Sequence, residues 1–347
     1  MRAAVLRSGR IHVRDDVSEP EPAFGQVLVQ VKACGICGSD LHFAKHGQKM
    51  MALGKEMSGM PSLGGDAPEL DFDADIFMGH EFAAEVLEIG PDTVAPGPGS
   101  IVTSIPILFT ASGIRPIVYS NDVPGGYSER MLLSAPMIVE VPNGLDFRLA
   151  ALTEPMAVGL HAVNKSSIEP GEGALVLGCG PVGLACIAAL RLKGIDTIVA
   201  TDFSPARRVI ATAMGASDVV DPATEPAFEA WRRAGGGKTL VAFEAIGVPG
   251  IINSVLRGAP MGTRLLVVGV CMEHDTIDPF FGISKELNIQ FALGYDPMEF
   301  NESLRAIAEG DIDVTPMITG EVTLEGVAPA FEDLGNPDAH CKILVEP

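Results

Sequence analysis

Three short runs carry the side chains best suited to chemistry: Cys34-Gly35-Ile36-Cys37-Gly38-Ser39-Asp40-Leu41-His42, Gly79-His80-Glu81 and Glu154-Pro155. A thiolate, an imidazole and carboxylates are the donors that a catalytic zinc takes, with one position left open for water or substrate. Each run also has a plainer reading when taken singly. Cys34 and Cys37 form a CxxC, a spacing that serves thiol redox chemistry as well. His80 could be a hydrogen-bonded loop histidine, and Glu154 a charge on a helix surface. The sequence holds no second CxxC, so a closed four-cysteine site of that kind is not available.

A fourth run, Gly178-Cys179-Gly180-Pro181-Val182-Gly183, follows an apolar strand-like stretch at 174–177 and opens a helical one. Gly178 permits a tight turn, Gly180 lets the backbone approach a pyrophosphate, and Gly183 lets the helix pack close to the strand. Pro181 and Val182 open that helix, whose N-terminus offers free N–H groups and the positive end of a dipole to phosphates. Asp202 stands nineteen residues after Gly183, at the tip of the next strand. A carboxylate there can hold both ribose hydroxyls and would repel a 2′-phosphate, which points to NAD. Arg207 and Arg208 lie just beyond it and keep an NADP reading open. The alternative is an ordinary strand–turn–helix with Asp202 facing solvent.

These groups need a framework of two kinds. Residues 1–150 are rich in Val, Gly and Pro, with short β runs at 26–33, 83–89, 101–105, 131–133 and 138–141. That texture predicts an irregular, barrel-like β domain. The stretch 43–78, loaded with Gly, Met, Pro and acids, reads as a long surface loop or lid, and its Met50, Met51, Met57 and Met60 could line a pocket or pack the loop on itself. A helix is expected over 147–164. Strands then alternate with helices: strands at 175–177, 197–201, 218–220, 239–245, 264–270 and 289–294; helices at 182–193, 205–214, 226–234, 251–256 and 281–286. This is the signature of a doubly wound α/β parallel sheet. One helix at 300–309 and a last strand at 342–345 are expected to return to the first domain. The expected division is therefore 1–150 with 296–347, and 151–295 as the dinucleotide-binding domain.

The chain has 347 residues, a length that suggests two domains. No apolar run reaches the length of a membrane span, and the N-terminal MRAAVLRSGRIHV reads as a first strand, not a signal peptide; a cytoplasmic location and no membrane partner are expected. A net charge of −21 argues against a nucleic-acid partner. Six scattered cysteines in a chain of this length are no disulfide framework, and Cys179, Cys186, Cys271 and Cys341 read as small apolar residues.

The motifs CGICGSDLH (34–42), GHEF (79–82), PGGYSERM (124–131), EPMAVGLHAV (154–163), VLGCGPVG (176–183) and TDFSPARR (201–208) resemble, in order, those of the zinc-dependent medium-chain dehydrogenase/reductase family, the alcohol dehydrogenase superfamily. EPMAVGLHAV resembles the branch with sorbitol, threonine and butanediol dehydrogenases. The resemblance implies a GroES-like catalytic domain beside a Rossmann domain, and hydride transfer between NAD and a secondary alcohol or diol in a cleft between the two. It implies Cys37 and His80 as zinc ligands, Cys34 as none, Glu81 as a third ligand or one alternating with water, and Glu154 touching the metal or its water. Asp40 would bond the His80 imidazole, Ser39 the reacting hydroxyl, and His42 would pass its proton outward. Val158 would pack on the nicotinamide, while Gly269, Val270, Leu293 and Gly294 would offer backbone groups to its carboxamide. Many relatives carry four close cysteines for a structural zinc; residues 104–124 here have none, so one zinc per chain is expected. Relatives pair through a sheet edge near 289–294, giving a homodimer or homotetramer. The insert at 43–78 and the run Pro98-Gly99-Ser100-Ile101-Val102 depart from the family pattern on the substrate side. Two other readings remain: a zinc-independent enone or quinone reductase using NADPH, which would lack Cys37 and GHE, and a nucleotide binder without turnover.

Overall fold

Strand register organises the first part of the chain, and strand order the second. The computed structural model describes residues 1–56 and 70–347. One unit comprises Met1–Glu154, Ile318–Asn336 and Lys342–Pro347; the other comprises Pro155–Met317 and Pro337–Cys341.

The first unit is built on the strand Gln26–Gly35. Its alternate residues Val27, Val29, Val31 and Ala33 share one face and are buried, as a two-residue repeat requires. It pairs antiparallel with Glu81–Ile89, Arg130–Ser134 and, at its end, Lys342–Val345. Ile101–Ser104 and Ile138–Glu140 extend the sheet on one side and Ile318–Val322 on the other. A three-stranded sheet of Arg10–Arg14, Ala3–Arg7 and Ile76–Phe77, and a hairpin of Ile107–Thr110 with Gly113–Pro116, complete it. The barrel-like β texture expected for this region therefore resolves into a seven-stranded sheet with short satellites.

Two expectations for this unit need correction. The stretch 43–78 is not a loop at its start: a helix runs over Gly38–Glu56, kinked at His46. Phe43 is buried, Met50 and Met51 pack half-buried against the core, and Ile76, Phe77 and Met78 are buried. Met57 and Met60 lie outside the described residues. The helix is weakly amphipathic, since three glycines, three lysines and two histidines interrupt its apolar stripe, which is why periodicity did not reveal it. The tail also holds more than the expected final strand: Ile318–Val322 and a helix at Val327–Asp333.

In the second unit six strands form one parallel sheet in the spatial order Asp218–Val220, Thr197–Thr201, Gly173–Leu177, Leu240–Glu244, Arg264–Val267 and Asn288–Phe291. Numbered along the chain this is 3-2-1-4-5-6, the doubly wound order, with the switch point at Gly173–Leu177. Gly173–Leu177 and Leu240–Glu244 are buried throughout, which explains their unbroken apolar runs. The helix Pro297–Ala308 belongs here and not with the first unit, contrary to the boundary expected at 295. Its capping residue Glu299 accepts a hydrogen bond from Asn164 Nδ2 at 2.8 Å and faces His161 Nδ1 at 2.8 Å, and both partners stand on the helix Thr153–Ser166. The single helix expected over 147–164 is two, Phe147–Ala150 and Thr153–Ser166. Asp146 caps the first, and the Thr153 hydroxyl donates to the Ala150 carbonyl at 2.7 Å at the junction. No helix among the described residues is long and apolar enough to cross a membrane.

Candidate functional site

The register Gly35↔Glu81 brings two of the reactive runs together. Cys37 lies two residues beyond the end of one strand and His80 one residue before the start of its neighbour, so pairing the strands places the thiol and the imidazole side by side. Donor atoms of Cys37, His80 and Glu81 all lie within 4.8 Å of one another, the one such group among the described residues. Gly35 is required for this approach: a Cβ there would meet Glu81 Oε2 at 2.2 Å.

Asp40 is in the first turn of the helix Gly38–Glu56 and is fully buried. Its Oδ2 accepts from Tyr127 Oη at 2.6 Å and from the Cys37 backbone N–H at 3.1 Å. Its Oδ1 stands 3.6 Å from His80 Nδ1, beyond hydrogen-bond range, and neither atom has another partner. Asp40 thus faces the imidazole without making the hydrogen bond that the resemblance implied. Nδ1 is the nitrogen turned to the carboxylate, which leaves Nε2 toward the cluster. Ser39 Oγ is 3.4 Å from that Nε2.

The electrostatics of the cluster call for positive charge. Burial, then the Glu81 carboxylate, push the Cys37 thiol up, and burial raises Asp40 as well. Burial works against a charged His80, yet Asp40, Cys37 and Glu154 outweigh it and hold the imidazole well above its ordinary value. Groups that retain protons this way can exchange them for a cation. Sulfur, imidazole nitrogen and carboxylate oxygen at these separations, with an orphaned Nδ1–Oδ1 pair behind them, fit a zinc ion.

Glu81 departs from the simple ligand picture. Both its oxygens accept from Lys342 Nζ, at 2.8 and 2.6 Å, and the same ammonium donates to the Ile36 carbonyl at 3.0 Å. Lys342 and Glu81 are both buried, so Glu81 belongs to the cluster while its charge is already matched from the other side. Glu154 is half-buried in the first turn of Thr153–Ser166 and acts electrostatically on His80 and on Tyr119, but it stands outside the 4.8 Å group. His42 is exposed on the same helix as Ser39, and Cys34 is buried. Three residues of this region carried no role in the sequence reading. Tyr127 holds Asp40 and Lys342 holds Glu81. Tyr119, whose phenol is kept neutral and well above its usual value by burial and then by Asp40, faces Ser39. PGGYSERM contained Tyr127; nothing in the sequence marks a lysine near the C-terminus as the partner of a glutamate in the second metal run.

The nucleotide run folds as expected. Gly178 adopts a φ of 93°, Gly180 is the N-cap of the helix Pro181–Leu192, and a Cβ on Gly183 would meet the Gly178 carbonyl oxygen at 2.0 Å. A Cβ on Gly180 would meet nothing nearer than Arg207 Nη1 at 4.0 Å, so the space above that backbone is open beside a guanidinium. Asp202 follows the strand Thr197–Thr201 and accepts from the Cys179 N–H and the Ser204 N–H, each at 2.8 Å. About half of its lone-pair positions are thereby used and the rest are available to a ligand. Val158 is half-buried on Thr153–Ser166. Gly269 and Val270 follow the strand Arg264–Val267, and Leu293 and Gly294 follow Asn288–Phe291, all beyond the carboxyl ends of their strands. The Gly269 N–H already donates to the Glu244 carbonyl at 2.9 Å, which leaves that residue's carbonyl as its free backbone group.

Known proteins show the family of the chain. Residues 23–143 match the family model of the alcohol dehydrogenase GroES-like domain, and residues 181–309 that of the zinc-binding dehydrogenase. The chain is 31% identical to (R,R)-butanediol dehydrogenase of Bacillus subtilis (strain 168), over 99% of this chain and 100% of that one. It is 28% identical to sorbitol dehydrogenase of the same organism, over 100% and 97%. The crystal structure of 2R,3R-butanediol dehydrogenase from Bacillus subtilis superposes with a TM-score of 0.81 at 30% identity, covering 100% of this chain and 99% of that one. A structure from Sinorhizobium meliloti 1021, described as a zinc-binding dehydrogenase bound to NADP, superposes with a TM-score of 0.82 at 28% identity, covering 100% and 99%. With a GroES-like domain that gathers sulfur, imidazole and carboxylate, and a doubly wound sheet that carries the glycine turn, the chain belongs to the zinc-dependent medium-chain alcohol dehydrogenases.

Proposed function

We propose that the protein transfers a hydride between NAD(H) and a secondary alcohol, with vicinal diols or polyols as its substrate class and the ketone as product. The observation that carries this is the meeting of Cys37, His80 and Glu81 beside Ser39. The names of the butanediol and sorbitol dehydrogenases support the substrate class. Cys37 and His80 would hold one zinc per chain, with oxygen from Glu81 or Glu154. When bound, the ion supplies a Lewis acid that lowers the pKa of a hydroxyl, and the nicotinamide supplies the hydride acceptor.

The chain's own residues do the rest. Asp40 holds the imidazole with Nε2 toward the cluster. Ser39 Oγ accepts the proton of the substrate hydroxyl as it releases its own, and His42 takes up the released proton and passes it to solvent. Burial, and then the charges of His46 and Lys45, lower the His42 pKa from its ordinary value, so at neutral pH this imidazole is uncharged and able to accept a proton. Asp202 favours NAD by repelling a 2′-phosphate. The placement of Arg207 beside Gly180 and the NADP-bound relative are the observations in favour of a second reading, in which NADP serves.

The partner is a second copy of the chain. Asn288–Phe291 ends the six-stranded sheet, paired on one side only, and Phe291 and Leu293 beside it are 65% and 87% exposed. An open apolar edge of this kind invites pairing with another copy.

The test is a panel of alcohols and ketones with NAD and with NADP on zinc-loaded protein, following absorbance of the reduced cofactor. Turnover of secondary alcohols or diols is expected, faster with NAD. Reduction of enones alone, unaffected by chelation, would replace this reading with the zinc-independent one.

A further inference from the structure

Among the described residues, Tyr119 is a polar side chain near the metal cluster that the reaction just described does not employ. It follows the hairpin of Ile107–Thr110 and Gly113–Pro116, and its neighbour Ser120 is bridged to Phe77. The Phe77 N–H donates to the Ser120 carbonyl at 2.7 Å and the Ser120 N–H donates back at 3.2 Å, which ties Tyr119 to the segment that delivers His80. Its ring lies flat on Phe43, with centroids 3.7 Å apart and planes 6° apart. Phe43 is one helical turn beyond Ser39 on the helix Gly38–Glu56, so stacking fixes the phenol relative to the serine.

The hydroxyl is withdrawn from solvent and makes no hydrogen bond of sound geometry among the described residues, although the Ser39 side chain is near enough to interact with it. It faces Ser39, and the charges that act on it belong to Asp40, Cys37 and Glu154. A phenylalanine would stack on Phe43 equally well, so packing does not explain the oxygen. A buried hydroxyl without a partner is destabilising, and such groups in native proteins await a ligand or a water.

We infer that the Tyr119 hydroxyl binds a second oxygen of the substrate, on the carbon next to the one that is oxidised, and so selects vicinal diols over mono-alcohols. The inference rests on the dehydrogenase reading above. If Ser39 meets the reacting hydroxyl, a phenol facing Ser39 lies beside it, and adjacent oxygens of a vicinal diol have the spacing to meet both. A site built to hydrogen-bond a substrate hydroxyl discriminates strongly against the analogue that lacks it.

The test compares 2,3-butanediol with 2-butanol in the zinc-loaded wild-type enzyme and in Tyr119→Phe. The wild type should prefer the diol in kcat/KM by about tenfold or more, and the variant should lose about tenfold of that ratio. The same loss should appear in equilibrium binding of the two alcohols with reduced cofactor present, where no hydride can pass. Zinc content and thermal midpoint report whether the variant is folded. A wild-type enzyme that accepts both alcohols equally overturns the inference without any variant, as does a ratio unmoved in a folded Tyr119→Phe. A wild-type enzyme that turns over neither alcohol removes the dehydrogenase reading and this inference together.

Discussion

The metal cluster and the nucleotide turn are built in opposite ways. From Gly178 to Asp202 the nucleotide site is one continuous strand–turn–helix–strand, and its contacts are backbone ones: Asp202 accepts from the N–H groups of Cys179 and Ser204. The metal cluster draws on Cys37, Asp40, His80, Tyr127 and Lys342, five positions spread over most of the chain and joined by strand register and buried charge pairs. Local backbone geometry makes the first site tolerant of side-chain change outside its glycines and Asp202. The second depends on every charge finding its counterpart in a dry interior, where an unmatched group is costly.

The comparison is broken most directly at Cys37. Cys37→Ser should lose the metal and lower turnover by about a thousandfold or more, while nucleotide binding stays near wild type, because the glycine turn belongs to the other unit. Zinc content, turnover and cofactor titration check this; unchanged turnover in metal-free Cys37→Ser would defeat the zinc assignment.

Lys342 tests whether the buried pair holds the site. Lys342→Met leaves Glu81 charged and unpaired and should cost about 3–5 kcal/mol of stability. Adding Glu81→Gln should recover much of that loss in denaturant unfolding. If Lys342→Met is as stable as wild type, Glu81 is satisfied from elsewhere.

At the nucleotide turn a milder outcome is expected. Asp202→Ala should reduce the NAD-over-NADP preference about tenfold, through loss of the ribose hydrogen bonds and of repulsion toward a 2′-phosphate. An unchanged ratio of kcat/KM values would remove Asp202 as the discriminator.

The smallest effect sharpens the contrast through pH. Burial raises the Cys37 thiol, and Asp40 with Cys37 raises His80, so the metal-free cluster holds protons at neutral pH. Zinc must displace them, and its apparent affinity should rise by roughly tenfold per pH unit for each proton released. Titration in buffers of different ionisation enthalpy counts those protons, whereas NAD binding at the glycine turn should show little such dependence. Zinc binding without proton release would mean that the cluster is already deprotonated.

The two sites also differed in legibility. The inner strands of the parallel sheet were visible from apolar runs and turn residues because Gly173–Leu177 and its neighbours are buried on both faces. The helix Gly38–Glu56 was not, since its register of buried residues is set by Phe43, Met50 and Met51 meeting a sheet whose strands lie elsewhere in the chain. The antiparallel sheet exposed its strand segments but not their pairing, and pairing is what joins residue 37 to residue 80.

By itself, then, the sequence determined the chemistry available and the local turn that grips a dinucleotide, because glycine spacing, helix N-termini and donor types act over a few residues. Only the tertiary structure decided that Glu81 is matched by Lys342, that Tyr127 steadies Asp40, and that the Tyr119 hydroxyl is withdrawn from solvent beside Ser39. Those pairings span up to 261 residues of chain, and only strand register and the demand that buried charge be compensated can select them.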